Sequence, residues 1–289
     1  MKWPLLLTLA PLLPGNGGYD LSKPVATFDL PAELTEISGL TDVDERTVAC
    51  LHDEAATLFL LDLANGNIRE RHVFGPPGDM EGLTRVGNGF FALRSDGLVY
   101  HLQRKGERYT AVDSFALRLP NRNIEGLGYD DRLKRVLVSP KDNLKGDAGV
   151  RDLRQVFAFD PRTHQMLPDP VLTYSVDDIL RKAQASGVKV PIRTTPKGRQ
   201  IPTIKFRMAS IAVDPRTDNY LLLSAVDQTL LVLDRTGKFV QLYLLDEKLL
   251  PKPEGITFLA NGDLLIASEG KGTPPRLVRY AGHVSRGDK

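Results

Sequence analysis

The sequence predicts an all-β fold, a single β-propeller of five four-stranded blades, and three observations carry that expectation. A short motif returns at nearly regular steps, and each copy is followed by strands separated by Asp, Asn or Gly turns. A spare strand precedes the first copy, while the last copy is one strand short. Four short antiparallel strands in each repeat of about 40 to 45 residues is the pattern of a propeller blade.

The motif reads Ile37-Ser38-Gly39-Leu40-Thr41, Met80-Glu81-Gly82-Leu83-Thr84, Ile124-Glu125-Gly126-Leu127-Gly128, a degenerate Met208-Ala209-Ser210-Ile211-Ala212, and Pro253-Glu254-Gly255-Ile256-Thr257. Its central small residue recurs at steps of 43, 44, 84 and 45. A second apolar strand follows each copy at 47–52, 90–95, 135–139, 220–224 and 263–268, after turns rich in Asp, Asn and Gly. Third strands are expected at 58–63, 98–103, 155–160, 229–234 and 276–280, and an outer strand in the first four copies, for example 238–245. The fifth copy ends after three strands. Residues 25–30 supply the missing one, so the N-terminal strand closes the ring and covers an exposed edge.

The doubled step needs a separate reading. Blade three is complete by about Tyr174, and residues 175–207 are then an insertion. Ser175 with Asp178 three positions on reads as the cap of a short helix over 176–183, and the rest, with Pro191, Pro196, Gly198 and Pro202, reads as loop. The insertion is expected to be dispensable for folding. A degraded sixth blade is the alternative. The domain plan is then a signal or targeting segment at 1–18 and a propeller at 19–289 carrying the insertion.

The N-terminus supports export to the periplasm, cell envelope or exterior. Lys2 precedes the apolar run Leu5–Leu13, and small turn-forming residues follow to Gly18. The run is too short to span a bilayer, and no other stretch is long enough. The 38 basic and 36 acidic residues run intermixed, net charge is +2, and no basic stripe favours nucleic acid. Cys50, the single cysteine, sits in an apolar run and reads as a small buried hydrophobe. The chain is expected to be a monomer.

With Glu81-Gly82-Leu83-Thr84, Glu125-Gly126-Leu127 and Pro253-Glu254-Gly255-Ile256 in order, and with His52-Asp53-Glu54 and Ser268-Glu269 beside them, the chain resembles the SdiA-regulated family of bacterial propellers, YjiK-like proteins being the type. The resemblance runs from Tyr19 to about His283. It implies a propeller on the outer side of a membrane and no particular biochemistry. Propeller hydrolases such as phytases and lactonases are similar at fold level only, which does not transfer function.

Propeller geometry places the start of each first strand and the end of each second strand on one face, close to the axis. Glu36, Glu81, Glu125 and Glu254 lie at the starts; Asp53, Asp96, Lys141 and Glu269 lie at or near the ends. The candidate ligand site is therefore Glu81, Glu125, Glu254, His52, Asp53, Arg94, Asp96, Lys141 and Glu269. Within it Glu81, Glu125, Glu254 and Asp53 form a candidate cation site, whose oxygen donors suit Ca²⁺. Against this stands a packing role, in which glycine admits close approach at the crowded axis and the glutamate accepts N–H groups from the next blade. No zinc spacing, phosphate loop or Gly-x-Ser-x-Gly elbow occurs. Two functions remain: an extracytoplasmic propeller that binds a small molecule, glycan or protein on the loop-rich face, or a Ca²⁺-dependent hydrolase of phosphoesters or lactones.

Overall fold

Five four-stranded antiparallel sheets form in the computed structural model, which describes residues 18–120, 123–141 and 143–282. From the axis outward, blade one is Ile37–Asp44, Thr47–His52, Ala55–Asp62 and Ile68–Val73. Blade two is Met80–Val86, Gly89–Arg94, Leu98–Lys105 and Arg108–Ala116. Blade three is Ile124–Asp130, Arg135–Pro140, Leu153–Phe159 and Leu172–Ser175, and blade four is Met208–Val213, Tyr220–Ser224, Thr229–Leu233 and Phe239–Leu244. Blade five takes Lys252–Phe258, Leu264–Glu269 and Arg276–Tyr280 from the end of the chain and Ala26–Asp29 from its beginning. Ala26 faces Arg279 and Asp29 faces Arg276, so the N-terminal strand closes the ring as the sequence predicts.

The innermost strands contact one another in cyclic order, and hydrophobic clusters fill the spaces between neighbouring blades. The motif glycines exist for this packing. A Cβ on Gly39 would lie 2.4 Å from Leu83 N, and one on Gly82 2.6 Å from Glu125 O, each on the next blade. None of these contacts leaves room for a side-chain carbon.

The insertion is not a sixth blade. Helix α1 (Ala148–Asp152) lies between the second and third strands of blade three, and helix α2 (Val176–Ala185) follows the blade's outer strand. The Ser175 side chain accepts the Asp178 N–H at 2.9 Å, the cap the sequence predicts. A hairpin of its own, Ile192–Thr194 with Gln200–Pro202, replaces the expected plain loop. Dispensability is corrected. Val176, Ile179, Ala183, Val190, Ile204 and Phe206 are buried in the core shared by blades three and four. Arg154 is 5 % exposed, and its guanidinium is tied to backbone oxygens on both sides, including Phe206 O at 2.9 Å and Lys205 O at 2.8 Å. Replacing residues 177–199 by a Gly/Ser linker removes Ile179, Ala183 and Val190 from that core. The expected result is a loss of several kcal/mol, read by denaturant unfolding.

Turn aspartates also do more than turn. Asp130 accepts the Leu133 N–H at 3.2 Å, yet it is fully buried and holds Arg135 at 3.2 Å and Arg235, from blade four, at 2.5 Å. Of the segment read as a signal, residues 1–17 lie outside the described residues, as does His283. No helix of the described residues is long and apolar enough to cross a membrane.

Candidate functional site

A β-bulge recurs at one position in the innermost strand of every blade. Pairing with the second strand skips from Met80 to Gly82, Ile124 to Gly126, Met208 to Ser210 and Pro253 to Gly255, and from Ile37 to Leu40 in blade one. The residue left out of register is Glu81, Glu125, Ala209 or Glu254, with Ser38 and Gly39 together in blade one. A bulge re-aims the extra residue away from the ladder. Three of the five carry a carboxyl, and the three converge at one end of the axis.

Burial governs their chemistry. Glu125 is 1 % exposed and Glu254 7 %. Burial pushes the Glu81 carboxyl up to about 8, reinforced by Glu125 and Asp79 and opposed by Lys141. Burial likewise pushes Glu125 up to about 7, against the Lys141 ammonium bound to its Oε1. Glu254 is raised by burial too, although Lys252 lies 3.1 Å from its Oε1. The same ammonium sits 2.6 Å from Glu269 Oε1. Burial works against the charge of Lys252, but Glu254 and Glu269 together hold its pKa above the ordinary lysine value. The result is three bulge glutamates and Glu269 interleaved with two lysines. Glu125 Oε2 is buried with no hydrogen-bond partner, and no cation lies within ion-pair distance of Glu81 among the described residues.

The structure divides the other candidates into two groups. Glu36, His52 and Asp53 come together on blade one with donor atoms within 4.8 Å of one another, the group of three or more His, Cys, Asp or Glu close enough to share a metal among the described residues. There burial, and then the Glu36 charge, push Asp53 up to about 6. His52 Nδ1 already accepts the Glu54 N–H at 3.2 Å, which occupies the lone pair a metal at that nitrogen would use. Arg94 and Asp96 make a two-pronged pair at 3.0 and 2.7 Å at the rim, and the guanidinium holds the Asp96 carboxyl below its usual range. Lys252 was missed by sequence reasoning. Its signal is its place two residues before Glu254, at the first position of the innermost strand.

The opposite end of the axis holds a cavity of about 500 Å³, walled by the second halves of the five innermost strands. Its polar groups are largely committed to joining blades. Thr41 Oγ1 accepts the Arg85 N–H and Thr257 Oγ1 the Asp42 N–H, both at 3.1 Å, and Arg85 binds the Asp42 carboxylate at 2.6 Å. The glutamate–lysine cluster is absent there, so the chemistry gathers at the other mouth.

Comparison with known proteins agrees with this architecture. No curated protein matches the chain significantly. Among solved structures, the PQQ-bound aldose sugar dehydrogenase of Streptomyces coelicolor is similar at a TM-score of 0.53 and 12 % identity, covering 89 % of this chain and 97 % of that one. Myxococcus xanthus glutaminyl cyclase gives 0.57 and 14 %, covering 90 % and 95 %. A luciferin-regenerating enzyme gives 0.50 and 11 %, covering 90 % and 96 %. At such identities the likeness is one of fold. The protein is a five-bladed β-propeller in which residues 158–273, from the third strand of blade three into blade five, match the model of the SdiA-regulated family.

Proposed function

We propose that the protein is a binding propeller whose ligand site is the channel mouth formed by Glu81, Glu125, Glu254, Glu269, Lys141 and Lys252, and that it takes a small hydroxyl-rich molecule or the end of a glycan. The observation that carries this reading is the bulge: Ala209 and Ser38 accompany it in blades four and one without any carboxylate. The packing role therefore does not require glutamate. Burying carboxyls and ammoniums together costs desolvation energy that well-packed apolar side chains would not. An interleaved set of acceptors and donors suits a ligand with several hydroxyls, each able to give one hydrogen bond and accept another. The two insertions leave blade three on this same face, where loops on a rigid scaffold supply specificity.

A calcium-dependent hydrolase is the second reading, supported by Glu81, which makes no ion pair among the described residues, and by Glu125 Oε2, which has no hydrogen-bond partner. Calcium would have to share this space with two ammonium groups that already hold Glu125, Glu254 and Glu269, which favours the first reading. The two are separated by scanning calorimetry with a panel of monosaccharides and polyols and, in parallel, a calcium titration. Binding predicts that a polyol or sugar raises the melting temperature by mass action, that Glu81→Gln with Glu125→Gln abolishes the response, and that calcium changes nothing. A rise with calcium alone, together with esterase or phosphatase turnover, would establish the hydrolase instead.

A further inference from the structure

The insertion beside the channel mouth carries a charge pattern that the whole-chain balance conceals. From Ile179 to Val213 there are eight Lys or Arg residues and no Asp or Glu, whereas the remainder of the sequence holds thirty basic and thirty-six acidic residues. The reading of charges as intermixed, with no basic stripe, is corrected here. Arg181 and Lys182 are neutralised by Asp178 on α2, at 3.3 and 2.8 Å. Lys189, Arg193, Lys197, Arg199 and Lys205 are exposed, and among the described residues none of the five makes an ion pair.

Three of these five lie on the hairpin: Arg193 in its first strand, Lys197 and Arg199 in its turn. The hairpin pairs only with itself, Ile192 facing Pro202 and Thr194 facing Gln200, and residues 191–203 are exposed or half-buried throughout. Its root is firm, with Val190, Ile204 and Phe206 in the core and Arg154 gripping the Lys205 and Phe206 carbonyls. Ile192 is 63 % exposed at its base. No aromatic residue occurs between Tyr174 and Phe206.

We infer that this hairpin docks the protein on a bilayer surface containing anionic phospholipids, its cations meeting headgroup phosphates while Ile192 enters the interface. Polybasic segments are attracted to such surfaces by roughly 1 kcal/mol per residue, and an apolar side chain beside them adds to the affinity. A rooted hairpin that pairs only with itself carries the exposed cations and Ile192 on one segment and keeps the net-acidic body clear of the plane. That body repels a long polyanion such as duplex DNA, which would extend past the hairpin. The lack of aromatic rings removes the stacking platform that single-stranded nucleic acid uses.

Flotation of the full chain with vesicles of phosphatidylcholine, with and without phosphatidylglycerol, tests this. Binding is expected only with phosphatidylglycerol and is expected to fall as salt rises. The fivefold variant Lys189→Gln, Arg193→Gln, Lys197→Gln, Arg199→Gln, Lys205→Gln should lose at least about 100-fold in partitioning while melting within a few degrees of the wild type. Ile192→Ser should lose a smaller, several-fold share. No binding at low salt by the folded wild type would overturn the inference, as would equal binding by a folded fivefold variant. Preferential binding of duplex or single-stranded DNA through the same five residues would also overturn it. Should the fivefold variant melt early, Lys197→Gln with Arg199→Gln at the turn gives the same reading with less change.

Discussion

Blades two, three and five differ from blades one and four at a single position of an otherwise shared device. All five bend their innermost strand at the same bulge; three follow it with a glycine, blade one holds Gly39 within it, and blade four has Ser210. Only the first three set a glutamate in the bulge. The glycine and the bulge belong to the packing of strands around an axis, and the carboxylates are added to that framework. One motif in the sequence thus contains two separable parts, one that the ring's packing requires and one that places the carboxylates.

The sharpest way to break the comparison is to disturb the shared part. Gly82→Ala would place a carbon 2.6 Å from Glu125 O and 2.9 Å from Leu127 N, both backbone atoms of the neighbouring blade. The expected loss is about 3 kcal/mol, measured by urea unfolding. A loss below about 1 kcal/mol would mean that the blades can move apart.

Changing the added part should act through pH. The Glu81 carboxyl is held up at about 8 by burial, against 4.5 for a glutamate in water, so between those values the unfolded chain has lost a proton that the native protein keeps. Stability from this group is therefore fully retained below about pH 4.5 and declines as pH rises toward 8. Glu81→Gln removes that decline. The variant should equal the wild type near pH 5 and exceed it by about 1 to 2 kcal/mol near pH 9, read as a flatter plot of melting temperature against pH. Parallel plots for the two proteins would show that Glu81 ionises freely.

The smallest effect is expected where blade one has no carboxylate. The Ser38 hydroxyl is buried without a hydrogen-bond partner. Ser38→Ala should shift stability by less than about 0.5 kcal/mol, if anything upward, since no bond is lost. A large loss would indicate that the hydroxyl belongs to the site.

What could be read in advance follows the same division. The ring was legible because Gly39, Gly82, Gly126 and Gly255 mark a steric requirement that recurs with the blade, and residue type reports sterics directly. The missing fourth strand of blade five was legible by counting. The bulge was not, because pairing register leaves no mark on residue type. The burial of α2 was underestimated because Val176, Ile179 and Ala183 are few and are set among charged neighbours. The site was legible for Glu81, Glu125 and Glu254, but not for how they are neutralised. Lys252 looks like an ordinary surface lysine until the strand start is known. Arg94 and Asp96 shared the predicted face yet answer each other at the rim, since two side chains two residues apart on one side of a strand end pair locally first.

The seam in blade five has a consequence for how the protein comes into being. Arg276 binds Asp29 across 247 residues of chain, and the strands carrying them are among the last and the first to be made. During synthesis the first propeller strand must wait, unpaired, until the strand Arg276–Tyr280 has left the ribosome. Such non-local pairing slows folding and leaves a strand edge open to wrong partners in the meantime. Once joined, the same seam acts as a clasp: the ring cannot be opened from one side of blade five alone, because its first and last strands in sequence hold each other.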